Sequence, residues 1–205
     1  MPEKESSDEL NSAVSETEIP TPKRRTAGDY LALAIATVGV GYFPIAPGTL
    51  GALVGVGLTL ALSTLTGQLL EAYARTHPAR AVYILSSRFV FALIACFVVT
   101  MVGIWAASRA ERLFQTKDPS KVVIDEVAGQ MIALLSGPFW IQTWWGIITA
   151  FILFRAFDIW KPYPIRKLEA LESGLGIMLD DVLAGIYALI ANSILVTAYM
   201  FFFAR

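Results

Sequence analysis

Long stretches without a single charge constrain this chain more than anything else in it. Residues 49–65, 89–107, 127–154 and 182–203 contain no Asp, Glu, Lys or Arg, and residues 28–42 contain one, Asp29. Crossing the hydrocarbon of a bilayer as helix takes about 20 such residues. Backbone N–H and C=O groups cannot be left unpaired there, so a spanning segment closes its hydrogen bonds within itself. Alternation of period two is weak throughout, which argues against strands. Only 16% of the 205 residues are charged, against about 25% in soluble domains. The reading is an all-α, multi-pass integral membrane bundle.

Pro44 and Pro47 break the first apolar segment, so the N-terminal region is loop-broken, with a second helix at about 49–65. Gly137-Pro138 interrupts the 127–154 run where a helical hairpin would bend. Each arm is short for a full crossing, so the hairpin is expected to be re-entrant or tilted. The polar segment 1–27, rich in Ser, Thr, Glu and Pro, reads as a disordered tail before a membrane domain at 28–205. Cytoplasmic loops carry the excess of Lys and Arg. Lys23, Arg24 and Arg25, the loop 108–126 and the loop 155–181 are therefore expected on that side, and 66–88 on the other.

Several classes drop out. A net charge of −1 gives no electrostatic footprint for nucleic acid. One cysteine, Cys96, excludes an intrachain disulfide, and one histidine, His77, excludes chemistry that needs a His pair.

The topology gathers four segments on the cytoplasmic side: GYFPIAPGTLG (41–51), VVIDEVAG (122–129), FRAFDIWKPYPI (154–165) and GIMLDDVLAG (176–185). They carry Asp125, Glu126, Asp158, Asp180 and Asp181, all expected at helix ends. Carboxylates at a lipid boundary are costly unless paired or metal-bound. An oxygen-only set with no useful histidine suits a hard cation, Mg²⁺ above others. All five are candidate ligands. Asp125-Glu-Val-Ala-Gly129 echoes Asp181-Val-Leu-Ala-Gly185, each with an acid expected to open a helix. The Ala and Gly at i+3 and i+4 share the acid's face and let helices approach closely. Asp180 and Asp181 cannot both face one point. Asp181 is the expected ligand, and N-capping is the structural alternative. Arg155 and Asp158, at i and i+3, form either a helix-end salt bridge or part of an anion site with Lys161 and Arg166. Thr49 begins a helix after a Gly- and Pro-rich loop, where free N–H groups bind phosphate.

Taken together, the four motifs resemble the phosphatidylglycerophosphatase A family, over roughly residues 28–203. The resemblance implies a Mg²⁺-dependent lipid phosphatase of the bacterial inner membrane, with its site facing the cytoplasm. It would convert phosphatidylglycerophosphate to phosphatidylglycerol and inorganic phosphate. On that reading Asp125, Asp158 and Asp181 hold the metal and Glu126 is a further ligand or the base that orients water. Thr49, Arg155, Lys161 and Arg166 bind phosphate. Some members carry serine where this chain has Phe43 and Ala52, so no nucleophilic serine is expected. Direct attack by water is preferred to an aspartyl-phosphate. The rival reading is an ion-coupled transporter, which would place its acids near the bilayer midplane.

Overall fold

The computed structural model describes residues 25–77, 81–135, 143–168 and 171–202. The tail before residue 25 and the expected bend at Gly137-Pro138 lie outside them. Every regular element among the described residues is helical.

Helix α1 (Ala27–Thr37) opens on a capping box: the Thr26 side chain accepts from Asp29 N–H, and the Asp29 side chain accepts from Thr26 N–H. It ends at Val38 in the left-handed region, followed by Gly39, also at positive φ, and a 3-10 turn (Val40–Tyr42). Pro47 then starts α2 (Pro47–Thr76), preceded by Ala46 in the left-handed region. Helix α3 (Ala81–Phe114) leads to a loop that turns through two left-handed residues, Gln115 and Asp118. Then come a short α4 (Ile124–Ala133), α5 (Trp144–Trp160), a single turn α6 (Ile165–Leu168) and α7 (Ser173–Phe202).

Among the described residues, three helices are long and apolar enough to cross a membrane: Pro47–Thr76, Ser86–Phe114 and Ser173–Phe202. Large apolar side chains such as Phe97, Ile194 and Leu69 stay exposed along them, as lipid-facing positions should.

The expected 66–88 loop is corrected: α2 runs on to Thr76 and α3 already starts at Ala81. Hydropathy marks where a helix enters lipid, not where its hydrogen bonding stops. A 30-residue helix such as α2 is about 45 Å long, well over a hydrocarbon core of about 30 Å. Arg88 uses the extra turns, donating from Nη2 to the Ser63 carbonyl at 3.1 Å, beside Gly67.

A second correction concerns Asp180 and Asp181. They are the eighth and ninth residues of α7, which begins at Ser173, so they neither open the helix nor cap it. Asp125 does sit in the first turn of α4. The same length argument reconciles their position with a surface site. The first two to three turns of α7 can project beyond the hydrocarbon while the rest crosses it.

Helix α4 is the buried centre. Every residue from Val127 to Ala133 is shielded from solvent. It packs against α2, α3 and α7. Two crossings are close enough to require glycine. A Cβ on Gly185 of α7 would collide with the Gly129 carbonyl of α4, and one on Gly129 would lie 2.6 Å from the Asp181 carbonyl. The echoed Ala-Gly pairs thus meet each other, as close approach through small residues predicts.

Candidate active site

The start of α4 is fixed from behind. Val123 N–H donates to the Ala36 carbonyl at the end of α1 (2.9 Å), and Val122 N–H donates to Pro119 (2.8 Å). These bonds set the angle at which Ile124, Asp125 and Glu126 enter the helix. The α4–α7 glycine contact brings Asp181 alongside. One oxygen each from Asp125, Glu126 and Asp181 then lies within 4.8 Å of the others. Asp158, from the last turn of α5, is in side-chain contact with Asp181. Asp125 is likewise in contact with Glu126.

Like charges so close, and out of water, repel strongly unless something positive sits among them. The protein supplies only part of that charge. Arg155 Nη1 donates to Asp158 Oδ2 at 2.5 Å and lies 3.9 Å from Glu126 Oε1. The helix-end salt bridge therefore exists, and the same nitrogen reaches the acidic group on α4. Asp125 Oδ1 and Glu126 Oε2 are buried with no hydrogen-bond partner among the described residues. The carboxylates of Asp125 and Glu126 meeting that of Asp181 within 4.8 Å are a donor set that fits a hard divalent cation.

Asp180 is turned elsewhere. Its Oδ2 accepts from Lys161 Nζ at 2.8 Å, and its Oδ1 accepts from Asp181 N–H at 2.9 Å. Lys161 occupies the left-handed cap position that ends α5. The ammonium group is therefore tethered at the rim of the acidic cluster. Arg166 lies on the short α6 and is exposed.

The remaining wall is the N-terminus of α2. No side chain caps it, and the first N–H groups of a helix have no intrahelical acceptor. Pro47 has none to offer, so Gly48 and Thr49 present theirs. A Cβ on Gly48 would collide with Glu126 Oε1 and would lie 3.4 Å from Arg155 Nη1. The bare helix end is therefore beside the acids and the arginine, in the place where an anion would be held.

Three further features line the site without belonging to any of the four motifs' charged residues. Gly48, Gly51 and Gly55 form a stripe on α2 against which α4 lies: a Cβ on Gly51 would be 2.9 Å from Val123 Cβ, and one on Gly55 2.8 Å from the Val127 carbonyl. The spacing of three and four residues was visible and could have revealed it. Asp118, exposed on the α3–α4 loop, adds negative charge close to Asp125 and Asp180. Gln130, wholly buried on α4, is the third.

The family model for phosphatidylglycerophosphatase A matches residues 33–196. A Bacteroides thetaiotaomicron protein provisionally named as a phosphatidylinositol-3-phosphatase is 41% identical over 162 residues, covering 78% of this chain and 91% of that one. The phosphatidylglycerophosphatase A of Haemophilus influenzae is 37% identical, covering 74% and 80%. That of Escherichia coli is 28% identical, covering 72% and 73%. No solved structure matches the chain.

Proposed function

The chain belongs to the phosphatidylglycerophosphatase A family and is a phosphatase, and from that premise we propose that it hydrolyses phosphatidylglycerophosphate to phosphatidylglycerol and inorganic phosphate, with Mg²⁺ as cofactor, at the cytoplasmic face of a bacterial inner membrane. The observation that carries this reading is the meeting of Asp125, Glu126 and Asp181 within 4.8 Å beside an uncapped helix N-terminus.

Phosphoryl transfer is mainly positioning and charge neutralisation. Asp125 and Asp181 would hold the cation, with Asp158 next to them and Glu126 beside it as the base; when bound, Mg²⁺ supplies positive charge to the phosphate oxygens and eases the ionisation of water. The N–H groups of Gly48 and Thr49 donate to the phosphate. Arg155 turns its remaining guanidinium N–H groups toward the same anion, while its bond to Asp158 fixes its plane. Lys161, tethered by Asp180, adds a point charge, and Arg166 draws the headgroup in from the surface. Glu126 takes the proton of the attacking water as the new O–P bond forms. The ester P–O bond breaks, its electron pair leaves on the glycerol oxygen, and that oxygen takes a proton from solvent water at the membrane surface. Acyl chains stay in lipid along the exposed apolar faces, so the substrate's layout mirrors that of the α5 terminus. The transporter reading loses support, because a phosphatase family accounts for the acids.

The test is phosphate release by purified protein in detergent micelles, with Mg²⁺ or EDTA. Phosphatidylglycerophosphate, phosphatidylinositol 3-phosphate and phosphatidic acid form three substrate arms. The reading expects Mg²⁺-dependent release, fastest from the first. The second arm is included because of the name borne by the Bacteroides relative. Faster release from either other lipid would reassign the substrate, and release that survives EDTA would remove the cofactor.

A further inference from the structure

Gln130 stands four residues after Glu126 on α4, so the two share a face, one turn apart. Its exposure is 0%. Neither atom of its carboxamide, Oε1 nor Nε2, has a hydrogen-bond partner among the described residues. A primary amide buried with none of its hydrogen bonds made is strongly disfavoured against an apolar side chain of similar volume.

The surroundings show where the amide lies. A Cβ on Gly55 of α2 would be 2.9 Å from Gln130 Cβ and 3.3 Å from its Cγ. One on Gly51 would be 3.4 Å from Glu126 Cβ. Glu126 and Gln130 therefore run along the same glycine stripe, with Gln130 deeper by about 6 Å. Glu126 Oε2 is likewise buried and without a hydrogen-bond partner among the described residues. The Gln130 carboxamide and Glu126 Oε2, one turn apart on one helix face and both buried without a partner among the described residues, are the setting in which internal water is found.

We propose that Gln130 is a positioning residue whose carboxamide holds an internal water against Glu126 Oε2 at the inner end of the α2–α4 seam. The amide N–H donates to the water oxygen, and the water donates to the carboxylate. This leaves Glu126 Oε1 directed at Gly48 and Arg155, where the reaction needs it. The inference rests on the phosphatase reading for the role of Glu126, but the water itself does not.

The experiment compares wild-type protein with Gln130→Met, which fills the same space without an amide, and Gln130→Asn, which keeps the amide one methylene shorter. Phosphate release from phosphatidylglycerophosphate gives kcat and KM, and thermal unfolding gives stability. Gln130→Met is expected to lose about 10-fold in kcat, with KM within twofold and the melting temperature not lowered. Gln130→Asn is expected to fall between it and wild type. Unchanged kcat in Gln130→Met overturns the proposal, and so does a loss of kcat that merely follows a loss of stability. If Gln130→Met does not fold, an experimental wild-type structure at a resolution that shows ordered water decides. Water between Gln130 and Glu126 upholds the proposal, and a dry amide or a protein partner for it overturns it. A wild-type protein inactive on every phospholipid would sink the phosphatase reading, while the same map still settles the water.

Discussion

Asp29 and Asp181 are both buried aspartates on helices, 9% and 4% exposed, yet they are held in opposite ways. Asp29 is saturated. Its Oδ2 accepts from Thr26 N–H at 2.6 Å and from the Thr26 hydroxyl at 2.8 Å, and its Oδ1 accepts from Arg109 Nε at 2.7 Å. The Thr26 bonds, backbone first, and Arg109 lower its pKa to about 2. Asp181 instead shares its space with Asp125, Glu126 and Asp158, and the neighbouring Lys161 is taken by Asp180. The difference separates two uses of one functional group. A carboxylate whose acceptors are filled by its own helix start and one arginine pins α1 to α3. Carboxylates left facing one another are an incomplete arrangement, one that a cation and a phosphate would complete.

The contrast can be broken most forcefully at the acidic cluster. Asp125→Asn and Asp181→Asn should each lower phosphate release by at least about 100-fold. In EDTA the same variants should unfold no earlier than wild type, because each removes a repelling charge. A variant that loses stability in parallel with activity would place the cluster with Asp29, as a structural device.

Next in size is the crossing that assembles the cluster. Gly185→Ala sets a methyl against the Gly129 backbone, which cannot swing aside. The expected cost is about 1–3 kcal/mol, read by thermal unfolding, with activity falling as α4 and α7 separate. Gly57, where a Cβ meets nothing within 4 Å, is the control: Gly57→Ala should leave both readouts intact.

The Asp29 side is sharpened by Thr26→Ala, which removes the capping side chain. It should cost about 1 kcal/mol while kcat stays at the wild-type value. The pH dependence follows from the lowered pKa. The folded value lies below the unfolded 3.8, so the stabilisation is full above about pH 4 and is lost as pH falls toward 2. Wild type and Asp29→Asn should therefore converge in melting temperature across that interval.

The smallest effect belongs to Thr149 and Asn192, whose side chains bond at 2.6 Å between α5 and α7. Thr149→Val should cost about 0.6 kcal/mol, with phosphate release unaffected.

Much of this was legible in the chain itself. Charge-free runs of membrane length dictated helices, since an unpaired backbone has no other refuge in lipid. The motifs around Asp125, Arg155-Asp158 and Asp180-Asp181 marked the candidate site, because acids and bases are costly at a lipid boundary. The Ala-Gly echoes announced a close helix crossing. Other features had no local signal. Helix ends beyond the apolar runs were invisible, because polar residues such as Gln68 and Glu71 continue a helix as readily as they leave one. Asp180 and Asp181 are adjacent in sequence and chemically identical. Only packing turned one toward Lys161 and the other toward the acids of α4. Likewise Gln130 reads as one polar residue in an apolar run until α2, α4 and their glycines bury it beside Glu126. The sequence by itself determined that this chain is a helical membrane protein with acids, bases and a bare helix start to bring together. The tertiary structure alone decided which of those acids are satisfied. That depends on distances of a few ångström between helices far apart in sequence, which no local pattern encodes.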